Sequence, residues 1–196
     1  MGAYNLLNLK QLSVFCSILL LASSGCIFSP KKGGDSPPPK PVYFIPASPE
    51  IVLQNYITAY EARDTTQMNL IYDESYPYKG ESTDNTDPIG PKTIIFDKAD
   101  EIAHVAALNR ATSITSVSLN FGTTYVRSTD LGDPVGWATI QISNTFLEIS
   151  DTPTPYSLPS TGEDIEFKFI PTPVPHAESP TDTTWKIVKW IERYTP

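Results

Sequence analysis

Cysteine is nearly missing from this chain. The two that occur, Cys16 and Cys26, both lie near the N-terminus, so they cannot staple the body of the fold. Positive charge is short as well: 14 Lys and Arg stand against 22 Asp and Glu, for a formal charge of -8. An acidic chain without a basic stripe repels phosphate backbones, which argues against nucleic acid as a partner. No apolar run reaches the roughly 20 residues that a membrane-spanning helix needs. There is no G-x-S-x-G, no glycine-rich phosphate loop and no H-E-x-x-H. Two distant histidines, His104 and His176, and no cysteine in the body leave no zinc site to expect. No cofactor, no metal and no catalytic set is expected from these residues.

What is present begins with an address. Lys10 is the only charge before an apolar run from Leu12 to Ala22. Its length fits the 7–15 residues typical of a signal-peptide core. Ser23, Ser24, Gly25 and then Cys26 follow. This stretch resembles the lipobox of bacterial lipoproteins, although Ser23 stands where that family prefers leucine. The resemblance implies cleavage before Cys26, lipid on its thiol and, as a rule, an acyl chain on its amine. Two or three acyl chains give stable anchoring to a membrane, where one does not. The segment "SPKKGGDSPPPKP", Ser29 to Pro41, has no apolar periodicity and reads as a stiff, semi-extended tether. Ile27 is not the aspartate associated with inner-membrane retention in enteric bacteria, which points to the outer membrane. The expected organisation is a signal peptide at 1–25, a lipidated cysteine and proline-rich tether at 26–47, and one domain at 48–196.

That domain opens with "SPEIVLQNYITAYEARD". Ser48 suits an N-cap, Pro49 the first helical position and Glu50 the positive end of a helix. Leu53, Tyr56, Ile57 and Tyr60 recur at helical spacing, with Gln54, Asn55, Thr58 and Glu61 elsewhere. Asp64 reads as a second N-cap, before a short helix carrying Met68, Ile71 and Tyr72. Residues 80–93 are polar and read as a solvated loop. Asp84 and Asp87 there lack the alternating acids, glycine and closing glutamate of a calcium loop. "TIIF" is a short strand. Asp97 caps a third helix, "KADEIAHVAALNR", whose expected buried face is Ala99, Ile102, Ala103 and Ala106. His104 then falls away from that face and reads as a partly exposed structural histidine, and His176 as loop.

The remainder alternates in the period of strands. Val117, Leu119 and Phe121 share one face of "ITSVSLNF". "VGWATIQISNTFLEI" changes parity between Ile142 and Leu147, which predicts one long bulged strand. Ile165, Phe167 and Phe169 share a face. In "TTWKIVKWIERY", Trp185, Ile187 and Ile191 lie on one side and Val188, Trp190 and Tyr194 on the other, so both faces need cover. The Pro-, Ser- and Thr-rich stretches 150–163 and 171–183 read as connections.

Helices first and long bent strands after them define an α+β chain. "SPEIVLQNYITAYEARDTTQMNLIY" and "TTWKIVKWIERY" resemble the opening helices and the last strand of the nuclear transport factor 2-like superfamily, which includes polyketide cyclases and ketosteroid isomerases. The resemblance covers about residues 48–196. It implies N-terminal helices packed in a strongly curved, mostly antiparallel sheet, a cone-shaped α+β barrel with a pocket between helices and sheet, and homodimers formed through the sheet. Tyr56, Tyr60, Tyr72 and Trp137 are the candidate pocket-lining residues, having apolar bodies and polar tips; filling the core is their simpler role. The expected function is a membrane-anchored, extracytoplasmic lipoprotein of the bacterial envelope that binds a small apolar ligand or an envelope protein. An enzyme of the cyclase, isomerase or hydrolase type is the alternative; it needs an ionisable side chain buried in the cavity. A purely structural envelope lipoprotein is the third reading, with the cone packed solid.

Overall fold

Local sequence signals set the three helices of the described chain. α1 (Pro49–Glu61) is capped by Ser48, whose side chain accepts from the Ile51 amide. α2 (Thr65–Ile71) is capped in the same way by Asp64. α3 (Lys98–Arg110) starts in a capping box between Asp97 and Asp100. Each cap satisfies an amide that the first helical turn leaves without a partner. The computed structural model describes residues 39–74, 78–84, 90, 92–122, 125–152, 156–159, 163–173 and 183–194. Residues 41–196 form one compact unit. The signal-peptide and lipobox residues, most of the tether, Asp87 and His176 lie outside the described residues.

Among the described residues, nine strands make two sheets. β1 (Lys79–Asp84), β2 (Lys92–Phe96), β4 (Val126–Ser128), β5 (Ala138–Ser143), β8 (Glu163–Pro173) and β9 (Thr183–Tyr194) form a six-stranded sheet in the order β2-β1-β9-β8-β5-β4. β3 (Ile114–Asn120), β6 (Phe146–Asp151) and β7 (Tyr156–Pro159) form the second, in the order β3-β6-β7. Every pairing is antiparallel except β1 with β9. The fold is thus α+β with a mixed, mostly antiparallel sheet.

Directly opposed residues put their side chains on one face, so the register names the inner wall. Ile140 lies opposite Phe167, Phe167 opposite Trp190, Trp190 opposite Gly80 and Gly80 opposite Phe96. One row along, Ile142, Ile165, Glu192 and other cleft-facing residues continue the wall. Leu53, Tyr56, Ala59 and Tyr60 of α1 pack against it, with Met68 and Ile71 of α2 and Val105 and Leu108 of α3.

The structure corrects several expectations. "TIIF" is a strand as expected, with β2 starting one residue earlier at Lys92, but residues 79–84, most of them in the expected 80–93 loop, form strand β1. β1 carries no apolar pattern, because it is held by neighbours on both edges and has a glycine on its inner side. "VGWATIQISNTFLEI" is two strands in two different sheets, not one bulged strand. The parity change is a corner at Asn144, which takes a left-handed φ of 63°. The bulge lies instead in β9: Lys168 faces Lys189 and Phe169 faces Ile187, leaving Val188 as the extra residue. It moves Trp190 onto the face of Ile187 and sends Ile191 to the other side. The connections 150–163 and 171–183 contain β7 and the ends of β6, β8 and β9. Asn55 is buried at 2% exposure rather than solvated, because its side chain both donates to and accepts from the Phe44 backbone. On α3 the buried residues are Glu101, Val105 and Leu108, while Ala99 and Ala103 are exposed. Small alanines reach too little apolar area to fix the helix face, and a satisfied carboxyl decides it instead.

Candidate functional site

A cleft opens between α1, α3 and the inner wall. Its first lobe, about 350 Å³, is walled by Tyr56, Tyr60, Phe121, Leu147, Ile165 and Phe167 among others. A second, about 730 Å³, extends to Ile94, Phe96, Asp100, Glu101 and His104. Both lobes share Tyr56, Tyr60, Ser82, Trp190 and Glu192.

α1 supplies the aromatic floor, because Tyr56 and Tyr60 are four residues apart and share a face. The two rings stack at 6.1 Å between centroids, and Tyr56 also stacks on Phe121 at 5.8 Å. Phe167 meets Tyr56 edge-on at 5.8 Å. On the other side the Trp190 ring stacks with Phe96 at 6.1 Å.

α3 supplies the polar groups. Glu101 and His104 are three residues apart, again one face. Glu101 Oε1 accepts from Trp190 Nε1 at 2.7 Å and from the Tyr78 hydroxyl at 3.0 Å. Burial raises the Glu101 carboxyl above the usual carboxylate range; the bonds from Trp190 and Tyr78 offset part of that rise, and the adjacent Asp100 adds to it. His104 Nε2 lies 2.8 Å from the Tyr60 hydroxyl, with the two rings stacked at 5.9 Å. The His104 side chain is exposed, and partial desolvation lowers its pKa below the usual imidazole range. Ser82 donates to Glu192 at the mouth shared by the two lobes.

Gly80 makes this arrangement feasible. A Cβ at that position would stand 2.8 Å from Trp190 Nε1 and 3.1 Å from Glu101 Oε1. Only glycine lets the β1 backbone pass behind the hydrogen-bonded pair.

Of the four residues chosen from sequence, Tyr56 and Tyr60 line the cleft. Tyr72 lies beneath it, fully buried, with its ring edge-on to Tyr56 at 6.5 Å and tilted against Tyr78 at 4.3 Å. Trp137 does not join them: it borders a separate depression with Lys79, Asp133, Lys168 and Lys189. Sequence reasoning missed Glu101, Glu192, Ser82 and Trp190; His104 is exposed as expected, but it also borders the cleft and meets Tyr60. The spacing of Glu101 and His104 from the Asp97 cap was the available signal. Their partners, Tyr78, Trp190 and Tyr60, lie too far along the chain for that spacing to name them.

Among the described residues, no group of three or more His, Cys, Asp or Glu side chains is placed to hold a metal ion. Among them also, no helix is long and apolar enough to cross a membrane. Chemically, the cleft is an aromatic cavity lined by the buried carboxyl of Glu101, the carboxyls of Asp100 and Glu192, and the His104 imidazole.

No family model matches the chain, and no curated protein matches it. Solved structures do. A nuclear transport factor 2-like superfamily protein from Salmonella enterica serovar Typhimurium is similar at 10% identity and a TM-score of 0.48, over 74% of this chain and 87% of that one. A putative dehydratase of the same family from Streptomyces avermitilis is similar at 8% identity and a TM-score of 0.47, over 75% and 93%. A nuclear transport factor 2-like protein of unknown function in nutrient uptake from Rhodospirillum rubrum is similar at 8% identity and a TM-score of 0.47, over 75% and 98%.

Proposed function

We propose that this chain is an extracytoplasmic bacterial lipoprotein, anchored through lipid on Cys26, whose domain binds a small, largely apolar ligand without turning it over. The observation that carries the binding reading is the two-lobed aromatic cleft with a few convergent polar groups, the usual make-up of a small-molecule site. A structural lipoprotein with a solid cone has no need of such volume. The anchor reading rests on the apolar run, the small residues before Cys26 and the proline-rich tether.

One pair of measurements tests both halves. The intact mass of membrane-extracted protein is expected to show a chain beginning at Cys26 with added acyl mass, absent from Cys26→Ala; an unlipidated soluble species overturns the anchor. The neutral fluorophore N-phenyl-1-naphthylamine is expected to brighten on binding the whole chain and to do so far less with Leu147→Trp, which fills the first lobe. Equal binding by a folded Leu147→Trp chain overturns the cleft as the site.

A second reading, an enzyme of the cyclase, isomerase or hydrolase type on a small apolar substrate, is favoured by Glu101. It is an ionisable group buried in the cavity with its pKa shifted upward, the feature such an enzyme requires.

A further inference from the structure

The cleft has an unusual charge inventory. Its polar lining is acidic: Glu192 belongs to both lobes, and Asp100 and Glu101 belong to the second. Among the described residues, no lysine or arginine lines either lobe. Two cations near the cleft are engaged elsewhere. Lys98 of α3 reaches Glu74 at 3.4 Å. Arg63, after α1, donates to the carbonyl oxygens of Leu108 and Ile114. Among the described residues, the basic side chain in the lining is His104, and partial desolvation favours its neutral form. The aromatic walls of the second lobe are Tyr56, Tyr60, Phe96 and Trp190, with Ile94, Ile95 and Ser82 beside them.

We propose that the cleft selects an apolar cation: an aromatic or alicyclic amine or quaternary ammonium, its body held among the rings and its charge placed between Glu101 and Glu192. This deepens the binding reading above and rests on it. Aromatic faces attract cations through their quadrupole, most strongly where water is excluded. Tyr and Trp supply such faces on both sides of the cleft. A carboxylate in a low-dielectric wall interacts with a cation more strongly than one in water does. Glu101 is held by donors on Oε1 alone among its recorded bonds, so a cation that meets the carboxyl need not break the Trp190 or Tyr78 bond. An anionic ligand of the same shape would meet three acidic residues and no fixed positive charge. A neutral ligand would gain the apolar contacts and leave the carboxylates without a counter-charge.

The test uses three ligands of one shape: 1-naphthylmethylammonium, 1-naphthylmethanol and 1-naphthoate. Each is titrated into the whole chain reconstituted in phosphatidylcholine nanodiscs, with empty nanodiscs subtracting partition into lipid. The expected order is ammonium, alcohol, carboxylate, with the ammonium bound about tenfold more tightly than the alcohol. Glu101→Gln keeps an oxygen for Trp190 and Tyr78 while removing the charge, and is expected to collapse the ammonium-to-alcohol ratio. Glu192→Gln, at the more open mouth, is expected to reduce it and serves if the first variant does not fold. Alcohol bound as tightly as ammonium overturns the proposal and leaves the binding reading standing. A tenfold ratio that persists in both folded variants also overturns it, because the selectivity then lies outside these carboxyls. No binding of any of the three overturns the binding reading and this proposal together.

Discussion

Strand β8 shows two treatments of charge on its two faces. Inward it presents Ile165, Phe167 and Phe169 to the cleft and core. Outward, Glu166 and Lys168 are buried at 6% and 8% exposure. On the outer face Lys168 faces Lys189, which faces Lys79, a row of three like charges that would repel. Carboxylates answer that row: Asp133 lies 2.7 Å and Asp130 3.0 Å from Lys168 Nζ, and Glu81 lies 2.9 Å from Lys189 Nζ. In the cleft no cation answers Glu101. Neutral donors on Tyr78 and Trp190 hold it instead. The outer arrangement answers Lys168 and Lys189 within the protein, and it ties the loop carrying Asp130 and Asp133 to the sheet. The inner one leaves a carboxyl lining an open volume, which is the form a binding group takes.

The contrast can be pressed from each side. The largest effect is expected inside. Phe167→Ala removes a ring packed on Tyr56 at 5.8 Å and on Phe121 at 5.5 Å. It should cost about 3–5 kcal/mol of unfolding free energy in denaturant titration. A loss under about 1 kcal/mol would mean that the inner wall is not close-packed there. A smaller effect is expected one residue along, on the other face. Lys168→Met leaves Asp133 without its cation and should cost about 1–3 kcal/mol. Burial alone would lower the Lys168 pKa, but the bonds and charges of Asp133 and Asp130 outweigh it and raise the pKa above 10.5. A raised lysine pKa stabilises the fold fully below the unfolded value and fades as pH rises through the folded one. The gap between Lys168→Met and the parent chain should therefore narrow above about pH 10.5. A gap that is constant with pH would assign the loss to packing.

The smallest effect has the opposite sign. The folded Glu101 carboxyl titrates above its unfolded value. Its contribution to stability is fully present below pH 4.5 and is lost as pH rises through the folded value. Where the folded carboxyl is charged, its burial burdens the fold. Glu101→Gln is thus expected to unfold at higher denaturant than the parent at pH 8, with the difference shrinking toward pH 4. A variant less stable than the parent at pH 8 would mean that the charged carboxyl is structurally required, like those of the outer face.

How far the sequence foretold this depended on whether the cause was local. Ser48, Asp64 and Asp97 could be read as caps because a cap and its target lie within three residues. The strand-forming parts of β3, β5 and β9 could be read from alternation. The buried face of α3 could not, since it turns on Glu101 accepting from Trp190, 89 positions away. β1 was hidden because KGESTD has no apolar rhythm; its partners, not its composition, make it a strand. The β5–β6 corner and the β9 bulge both change parity, and parity alone cannot say which change belongs to which device. Half of the cleft was foreseen in Tyr56 and Tyr60, the half carried by one helix; the acidic half needed the tertiary contacts.

The extra residue in β9 acts as a frame marker for everything downstream of it. Val188 shifts the count by one, so that Trp190 and Glu192 face the cleft while Lys189 and Ile191 face away. Deletion of Val188 alone would restore a regular ladder in which Ile187, Trp190 and Glu192 still share the inner face. Regular pairing that kept Val188 would instead turn Trp190 and Glu192 outward and bring Lys189 and Ile191 to the cleft. One unpaired residue thus decides which alternate set of side chains the last strand shows to the cavity.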